Sequence, residues 1–270
     1  MEQENQYAYE SRIDYWAFFR YNGDSHPMNQ QFMRYRESSN KRIMPFCFIS
    51  SKQVYEAGIN EIRTTVNYMK DPQYFRVPDG RPLIYFYVAH MSLENVKDYF
   101  SLVRQEASLA GIEDPYIVLF NNEWEWSYED VADLGQDAYS EYGSKPGRSV
   151  EGSPYRVMID ELPPLWSQWT GGNDQIVPSF SQQWDPRPYA ENPPTWWPEP
   201  DNRWFHPPTR DEFRENTQNA VDFVKAHPEE CPSRTIIIKE WNGFTEGACV
   251  CPSLKNGTMY IDALKEVVRY

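Results

Sequence analysis

Short apolar runs alternate with longer amphipathic segments along the whole 270-residue chain. The run at 83–89 (LIYFYVA) is apolar throughout and the run at 116–121 (YIVLFN) is apolar up to its final Asn, which is typical of strands buried on both faces of a parallel sheet. A turn signal, Asp79-Gly80, precedes the first of them. Seven segments have this strand-like character: 13–21, 43–49, 83–89, 116–121, 137–142, 176–182 and 235–239.

Segments with helical spacing separate the predicted strands. Residues 93–110 repeat apolar side chains at intervals of three and four, and Gly111 follows them as a typical helix end. Thr209 is a predicted N-cap for a helix over 210–226. The other predicted helices are 2–11, 29–39, 53–70, 127–134, 154–169 (interrupted near Pro163 and Pro164) and 258–269.

This alternation predicts an α/β fold in which helices cover a parallel sheet. The length fits a single (β/α)8 TIM-barrel-like domain over residues 1–270, because such barrels have about 250 residues. No internal repeat or change of composition marks a second domain. Seven strands are one fewer than a closed barrel of this type needs.

The charge composition of the chain indicates which classes of partner it can bind. The chain has 26 Lys and Arg against 40 Asp and Glu, a net charge of −14 and a pI near 4.8. Such a chain repels phosphate backbones and anionic lipids, so we expect neither nucleic acid nor a membrane as partner. No apolar run approaches 18 residues. A neutral or cationic substrate fits better.

Aromatic residues, at 16%, are unusually frequent, and several Trp lie in a polar, Pro-rich segment over 184–208. Two interpretations stay open for Trp196, Trp197 and Trp204. Their rings pack long loops onto the barrel, or they stack on the apolar faces of sugars.

Several common chemistries lack support in the sequence. Motifs for nucleotide phosphates, dinucleotides and the H-E-x-x-H zinc site are absent. The four cysteines, Cys47, Cys231, Cys249 and Cys251, do not have the spacing of a zinc knuckle. We therefore predict no metal and no cofactor. A disulfide from Cys231 to Cys249 or Cys251 stays open, and so do the oligomeric state and the cellular location.

The loops after the strands form the active face of an α/β barrel. Polar and indole side chains predominate there and recognise sugar hydroxyls and ring faces, so carbohydrate is the predicted partner. Two carboxyl groups are also what hydrolysis of a glycosidic bond requires. The candidate residues at these positions are His90, Glu123, Glu141, Trp184, Asp185, Glu240, Trp241, Asn242 and Glu246.

The segment Ile238–Gly247 (IKEWNGFTEG) resembles the W-N-E-W-x-E-G signature of glycoside hydrolase family 99 and of the related WbsX-type barrel proteins of O-antigen clusters. The likeness continues through Pro252–Leu264. It implies a (β/α)8 barrel that acts on glycosidic bonds, with the family's first strand before Met1, and it adds Trp16 to the predicted substrate-binding residues. It also covers three further segments: Ile13–Phe18, Asp71–Tyr85 and Ser181–Asp185.

The resemblance also implies roles for the signature residues. In family 99, which cleaves internal α-mannosidic linkages, the two glutamates of the signature act as base and acid. The second maps onto Glu246, the implied acid, and the first onto Gly243, which has no acid–base group. Glu240 is the predicted catalytic replacement because it has the strand parity of the residue two positions later. Glu123 and Glu141 are alternatives, and an ion pair as Glu240's only role also stays open.

Three functions are compatible with these observations. A glycoside hydrolase with a rearranged carboxylate pair is the first hypothesis. A carbohydrate-binding protein on a catalytically degenerate barrel is the second, because Gly243 replaces an expected glutamate. A glycosyltransferase is the third, although the sequence has neither a basic phosphate cradle nor a D-x-D motif.

Overall fold

The computed structural model describes residues 1–121, 126–127, 129–131, 134–170, 175–195 and 197–268. The strands are β1 (Trp16–Arg20), β2 (Phe46–Ser51), β3 (Leu83–Tyr87), β4 (Tyr116–Asn121), β5 (Ala138–Glu141), β6 (Gln175–Ile176), β7 (Ser179–Ser181) and β8 (Ile237–Lys239). The helices are α1 (Glu2–Glu10), α2 (Gln30–Glu37), α3 (Lys52–Glu56), α4 (Ile59–Asn67), α5 (Leu93–Leu109), α6 (Tyr155–Trp169), α7 (Arg187–Glu191), α8 (Arg210–Ala226) and α9 (Met259–Lys265).

Strands β1 to β6 form one parallel sheet in chain order. Every residue of β2 and β4 is buried, as their continuous apolar sequences predict for strands covered on both faces. Strands β7 and β8 form a second parallel pair, with Ser179 opposite Ile237 and Ser181 opposite Lys239. Parallel strands that alternate with helices confirm the predicted α/β fold class.

The chain divides into two compact units. Unit 1 consists of Met1–Glu141, Gly172–Val177 and Glu229–Arg234. Unit 2 consists of Tyr142–Gly171, Pro178–Pro228 and Thr235–Tyr270. The interpretation of residues 1–270 as one domain stays a prediction. Within the described part of the chain, no helix is long and apolar enough to span a membrane.

The core of unit 1 lies between the six-stranded sheet and its helices. Phe86 of β3 stacks on Tyr99 of α5 with ring centroids 3.9 Å apart. Phe32 of α2 packs on Phe46 and Phe48 of β2 at 5.1 and 4.8 Å. These rings are almost fully buried, and burial of large aromatic groups is the main stabilising contribution here.

In unit 2, helices α6 and α8 pack together and cover β7. Trp166 of α6 contacts Phe223 of α8 at 5.5 Å, and its indole donates a hydrogen bond to the Ser179 carbonyl. Asn216 of α8 donates to the Tyr155 hydroxyl at 2.9 Å. These contacts fix β7, and therefore β8 beside it.

Three predicted elements differ in detail. The helix predicted over 53–70 is divided into α3, α4 and a 3₁₀ turn, because Gly58 adopts φ +85° between them. Helix α6 continues through Pro163 and Pro164, where an interruption was predicted, since buried side chains on both sides of the prolines hold it in place. The predicted strand 176–182 is two strands, β6 and β7, with Pro178 between them and unable to donate an N–H to a ladder.

Candidate active site

The candidate site lies in unit 2, where the chain leaves β8. The amide of Gln182, just after β7, donates to the Lys239 carbonyl at 2.7 Å, and the next peptide bond, Lys239–Glu240, is cis. The amides of Val250 and Cys251 donate to the carbonyls of Glu240 and Trp241 at 3.1 and 2.9 Å. Residues 240–251 are therefore a folded-back loop that extends the strand end.

Lys239 is the centre of this site. Its side chain is buried, and its Nζ lies 2.5 Å from Glu246 Oε2 and 3.9 Å from Glu240 Oε1. The same Nζ lies over the rings of Trp184 and Tyr142, 4.2 and 4.3 Å from their centroids. Aromatic faces and carboxylates together balance a buried ammonium that would be costly alone. Both predicted catalytic glutamates thus contact one cation.

A second buried lysine completes the surroundings of Trp184. Lys145 Nζ donates to the carbonyls of Gly143 and Tyr142 at 2.6 and 3.1 Å and lies 4.7 Å from the Trp184 ring centroid. The indole N–H of Trp184 is buried and has no hydrogen-bond partner among the residues that the structure describes. An unsatisfied buried donor of this kind destabilises the fold by about 1–3 kcal/mol.

Glu240 has an unusual electrostatic environment. Its Oε1 accepts a hydrogen bond from the Tyr142 hydroxyl at 2.6 Å. Burial raises the pKa of Glu240, the charge of Glu246 raises it further, and the Lys239 ammonium and the Tyr142 hydroxyl oppose the rise. A carboxyl group with a raised pKa can hold a proton near neutral pH and donate it. Glu246 differs in its contacts, because the Lys239 ammonium touches its carboxylate directly.

Gly243 leaves the space that the Glu240 carboxyl group occupies. A Cβ atom on Gly243 would lie 1.6 Å from Glu240 Oε2 and 2.8 Å from the Ala248 carbonyl oxygen. Since Gly243 is where the resemblance puts the family's first glutamate, the Glu240 carboxyl group lies where that side chain would begin. The carboxyl group is thus present near this position, although it comes from a residue three places earlier.

The remaining predicted residues of unit 2 surround the loop. The Asp185 amide donates to the Glu246 carbonyl at 2.7 Å, and its carboxylate pairs with Arg187 through two hydrogen bonds of 2.7 Å. Trp241 is half-buried and Asn242 is exposed. Asp185 thus connects the loop after β7 to the loop after β8.

The predicted residues of unit 1 have separate surroundings. His90 is exposed with φ +62°, and Glu141 ends β5 and accepts from the Tyr139 hydroxyl at 3.2 Å. Trp16 is buried at the first residue of β1 and donates to Asn5 of α1 at 3.0 Å, and its role in substrate binding stays a prediction. The remaining candidate, Glu123, lies outside the described residues.

Two of the Pro-rich loop's tryptophans can also be placed. Trp204 has the Arg187 guanidinium 3.5 Å from its ring centroid and donates to the Val150 carbonyl, so this ring packs the loop. Trp197 is half-buried and faces Trp184 and Tyr189, at 6.3 and 5.8 Å between ring centroids. Trp196 lies outside the described residues.

The sequence analysis missed three residues of the site: Tyr142, Lys145 and Lys239. The only available signal was at Lys239, a lysine that ends an otherwise apolar strand directly before an acidic residue. Among the described residues, no group of three or more His, Cys, Asp or Glu side chains could hold a metal ion.

Fold and site together define an α/β protein with a carboxyl pair at the end of a parallel strand. The model of the family described as Glycosyltransferase WbsX matches residues 28–264. The chain belongs to this family, and the resemblance found in its sequence is confirmed.

A search of solved structures gives the same fold. The GH99 endo-alpha-mannosidase from Bacteroides thetaiotaomicron, solved in complex with bis-tris-propane, is similar over 94% of this chain and 73% of its own, with 15% identity and a TM-score of 0.57. This likeness supports the TIM-barrel-like fold class predicted from the sequence. No curated protein gave a significant match.

Proposed function

We propose that this protein hydrolyses glycosidic bonds of an oligo- or polysaccharide, with Glu240 and Glu246 as the catalytic pair. The carrying observation is that two carboxyl groups contact one buried lysine while their environments differ. Burial raises the pKa of Glu240, whereas Glu246 forms a direct ion pair with Lys239. Two carboxyl groups in opposite protonation states are what glycoside hydrolysis uses.

The proposed roles reverse the one that the resemblance implies for Glu246. Glu240, protonated, donates its proton to the glycosidic oxygen as the bond to the anomeric carbon breaks. Glu246, paired with Lys239, stabilises the positive charge that develops on the sugar ring and acts as base or nucleophile. The indole N–H of Trp184, which has no partner in the part of the chain that the structure describes, is available to a sugar hydroxyl and supports binding beside this pair.

The similar solved structure is named an endo-alpha-mannosidase, so α-mannosides are the first substrates to test. A second candidate, glycosyl transfer, is favoured by the description of the family. It differs in needing an activated sugar donor. Carbohydrate binding without catalysis is the third, because Gly243 replaces a family glutamate.

The deciding experiment incubates the purified protein with a panel of neutral glycans and, separately, with glycans plus sugar nucleotides. Chromatography detects shortened or extended chains, and calorimetry measures binding. Glu240→Gln and Glu246→Gln are compared with the exposed Glu229→Gln. We expect cleavage by the wild type and the control, and a loss of roughly 100-fold or more in either site variant.

Each other result has a defined meaning. Chain extension that requires a sugar nucleotide would establish transfer instead of hydrolysis. Binding with no cleavage by the wild type would leave a lectin-like protein. Equal cleavage by the wild type and both site variants would exclude Glu240 and Glu246 as catalytic residues.

A further inference from the structure

Two thiols lie side by side at the far end of the loop that follows β8. Cys249 and Cys251 are separated by one residue, so in an extended chain their side chains point to the same face. Their Sγ atoms are 3.3 Å apart, and neither is in a disulfide. A sulfur–sulfur bond of about 2.05 Å therefore requires an approach of little more than an ångström.

The pair also has the surroundings of a reactive thiol. Cys251 is partly exposed, and Cys249 beside it is 9% exposed. The hydrogen bond between the two thiols lowers the pKa of Cys249, which increases its thiolate fraction. The two other cysteines differ: burial raises the pKa of Cys47 well above its usual value and that of Cys231 to about 12.

We propose that Cys249 and Cys251 form an oxidation site, at which hydrogen peroxide converts the two thiols into a disulfide within the loop. The Cys249 thiolate attacks one peroxide oxygen, the O–O bond breaks, and a sulfenic acid and one water form once a proton is taken up. The Cys251 sulfur then attacks the sulfenic sulfur, the S–S bond forms, and its proton leaves with the hydroxyl group as a second water. Two thiols lose two electrons and two protons, and one peroxide becomes two waters.

This site is connected to the candidate active site through the backbone. The Val250 amide, between the two cysteines, donates to the Glu240 carbonyl, and the Cys251 amide donates to the Trp241 carbonyl. The Cys249 amide donates to Gln182 Oε1 at 2.7 Å. When the two sulfurs move into bonding distance, they pull on the segment that is hydrogen-bonded to Glu240 and Trp241. The oxidation itself does not depend on any catalytic role of these two residues.

The test is peptide mapping of the full chain after treatment with hydrogen peroxide, followed by alkylation of the remaining thiols. Trypsin cleavage after Lys239 and Lys255 releases both cysteines in one peptide that contains no other cysteine. We expect this peptide to lose the mass of two hydrogen atoms and to escape alkylation. The peptides with Cys47 and Cys231 should remain alkylated and serve as internal controls.

A Cys251→Ser variant, which removes the resolving thiol, should give a sulfenic acid or higher oxide at Cys249 and no loss of two hydrogens. Three results would overturn the proposal. One is full alkylation of both cysteines after peroxide, and another is separate oxidation of each without a bond between them. The third is a disulfide that joins either one to Cys231, the pairing left open by the sequence.

Discussion

Glu240 and Gly243 compete for one small volume at the end of β8. The Glu240 carboxyl group lies over the Cα of Gly243, where a Cβ atom would come within 1.6 Å of Oε2. The same carboxyl group accepts the Tyr142 hydrogen bond and lies 3.9 Å from the Lys239 ammonium. The position of the Glu240 carboxyl group therefore depends on the absence of a side chain at Gly243 as much as on its own contacts.

Substitution of Gly243 by Ala should displace the Glu240 carboxyl group and lower the free energy of unfolding by about 1–3 kcal/mol. Part of this cost comes from Glu240 and part from the Ala248 carbonyl. In the Glu240→Ala background, the same change should cost less by at least about 0.5 kcal/mol. Urea unfolding of the wild type, both single variants and the double variant measures this difference. Additive effects would mean that the two residues do not compete.

The raised pKa of Glu240 predicts a pH dependence of stability. At pH values above 4.5, the usual pKa of a glutamate, Glu240 keeps its proton in the folded protein, whereas the unfolded chain has released it. The free energy of unfolding therefore falls as pH rises from about 4.5 to the raised folded-state pKa, and then levels off. Glu240→Gln cannot ionise, so its stability relative to the wild type should increase across this range, by about 1.4 kcal/mol for each unit of the pKa difference.

Urea unfolding at several values between about pH 4 and about pH 8 measures this effect. Glu229→Gln, at an exposed position, reports the result of removing one surface carboxylate. A constant difference between Glu240→Gln and the wild type over the whole range would contradict the prediction.

The sequence identified those site residues that are polar or indole side chains in the loops after the strands, such as Glu240, Trp184 and Glu246. It did not identify Lys239, because burial of an ammonium depends on a carboxylate seven residues later and on the rings of Trp184 and Tyr142. Hydrophobic periodicity contains no information on contacts of that kind. The roles of the glutamates as catalytic residues stay predictions.

At the level of elements, α8 begins where its sequence signal places it. The Thr209 side chain accepts from the Glu212 amide at 3.2 Å, and the Glu212 carboxylate accepts from the Thr209 amide at 2.9 Å. In this reciprocal capping box, the backbone amides of Thr209 and Glu212 each donate to the side chain of the other residue. Since α8 packs on α6, which fixes β7, the cap supports the framework of the candidate site.

Thr209→Ala should lower the free energy of unfolding by about 1 kcal/mol, because the Glu212 amide loses its acceptor. Thr209→Ser keeps the hydroxyl group, so it should lower the free energy of unfolding by no more than a few tenths of the loss in the Ala variant. Thermal or urea unfolding measures both. Equal destabilisation by Ala and Ser would show that the methyl group, rather than the cap, stabilises this position.

Helix ends and buried strands were predictable because glycine, capping residues and continuous apolar runs act locally. The path of the chain at Pro163, Pro164 and Pro178 was not predictable from the sequence. A proline removes one hydrogen bond wherever it occurs, but the packing of buried neighbours decides whether the helix continues, as in α6, or the strand stops, as between β6 and β7.

For the whole molecule, the division into two units has an unusual form. Each unit is assembled from three separate segments, so the chain passes between the units five times. Neither unit is a continuous piece of sequence that could fold while the other is absent. We infer from this arrangement that the chain folds as one unit. The single domain over residues 1–270 stays a prediction.

We therefore expect one cooperative transition on unfolding in urea, with coincident curves from tryptophan fluorescence and far-UV circular dichroism. The tryptophans and the secondary structure of both units would then report the same midpoint. Two separated transitions, with fluorescence and dichroism changing at different urea concentrations, would instead identify two independent domains.

The shared volume of Glu240 and Gly243 also bears on the history of the site. If an ancestral chain carried the family's glutamate at position 243, its loss had to come before, or together with, the entry of the Glu240 carboxyl group. Once that group is in place, a simple reversion at 243 meets both Glu240 and the Ala248 carbonyl. A return to a side chain at position 243 would therefore require Glu240 to change first.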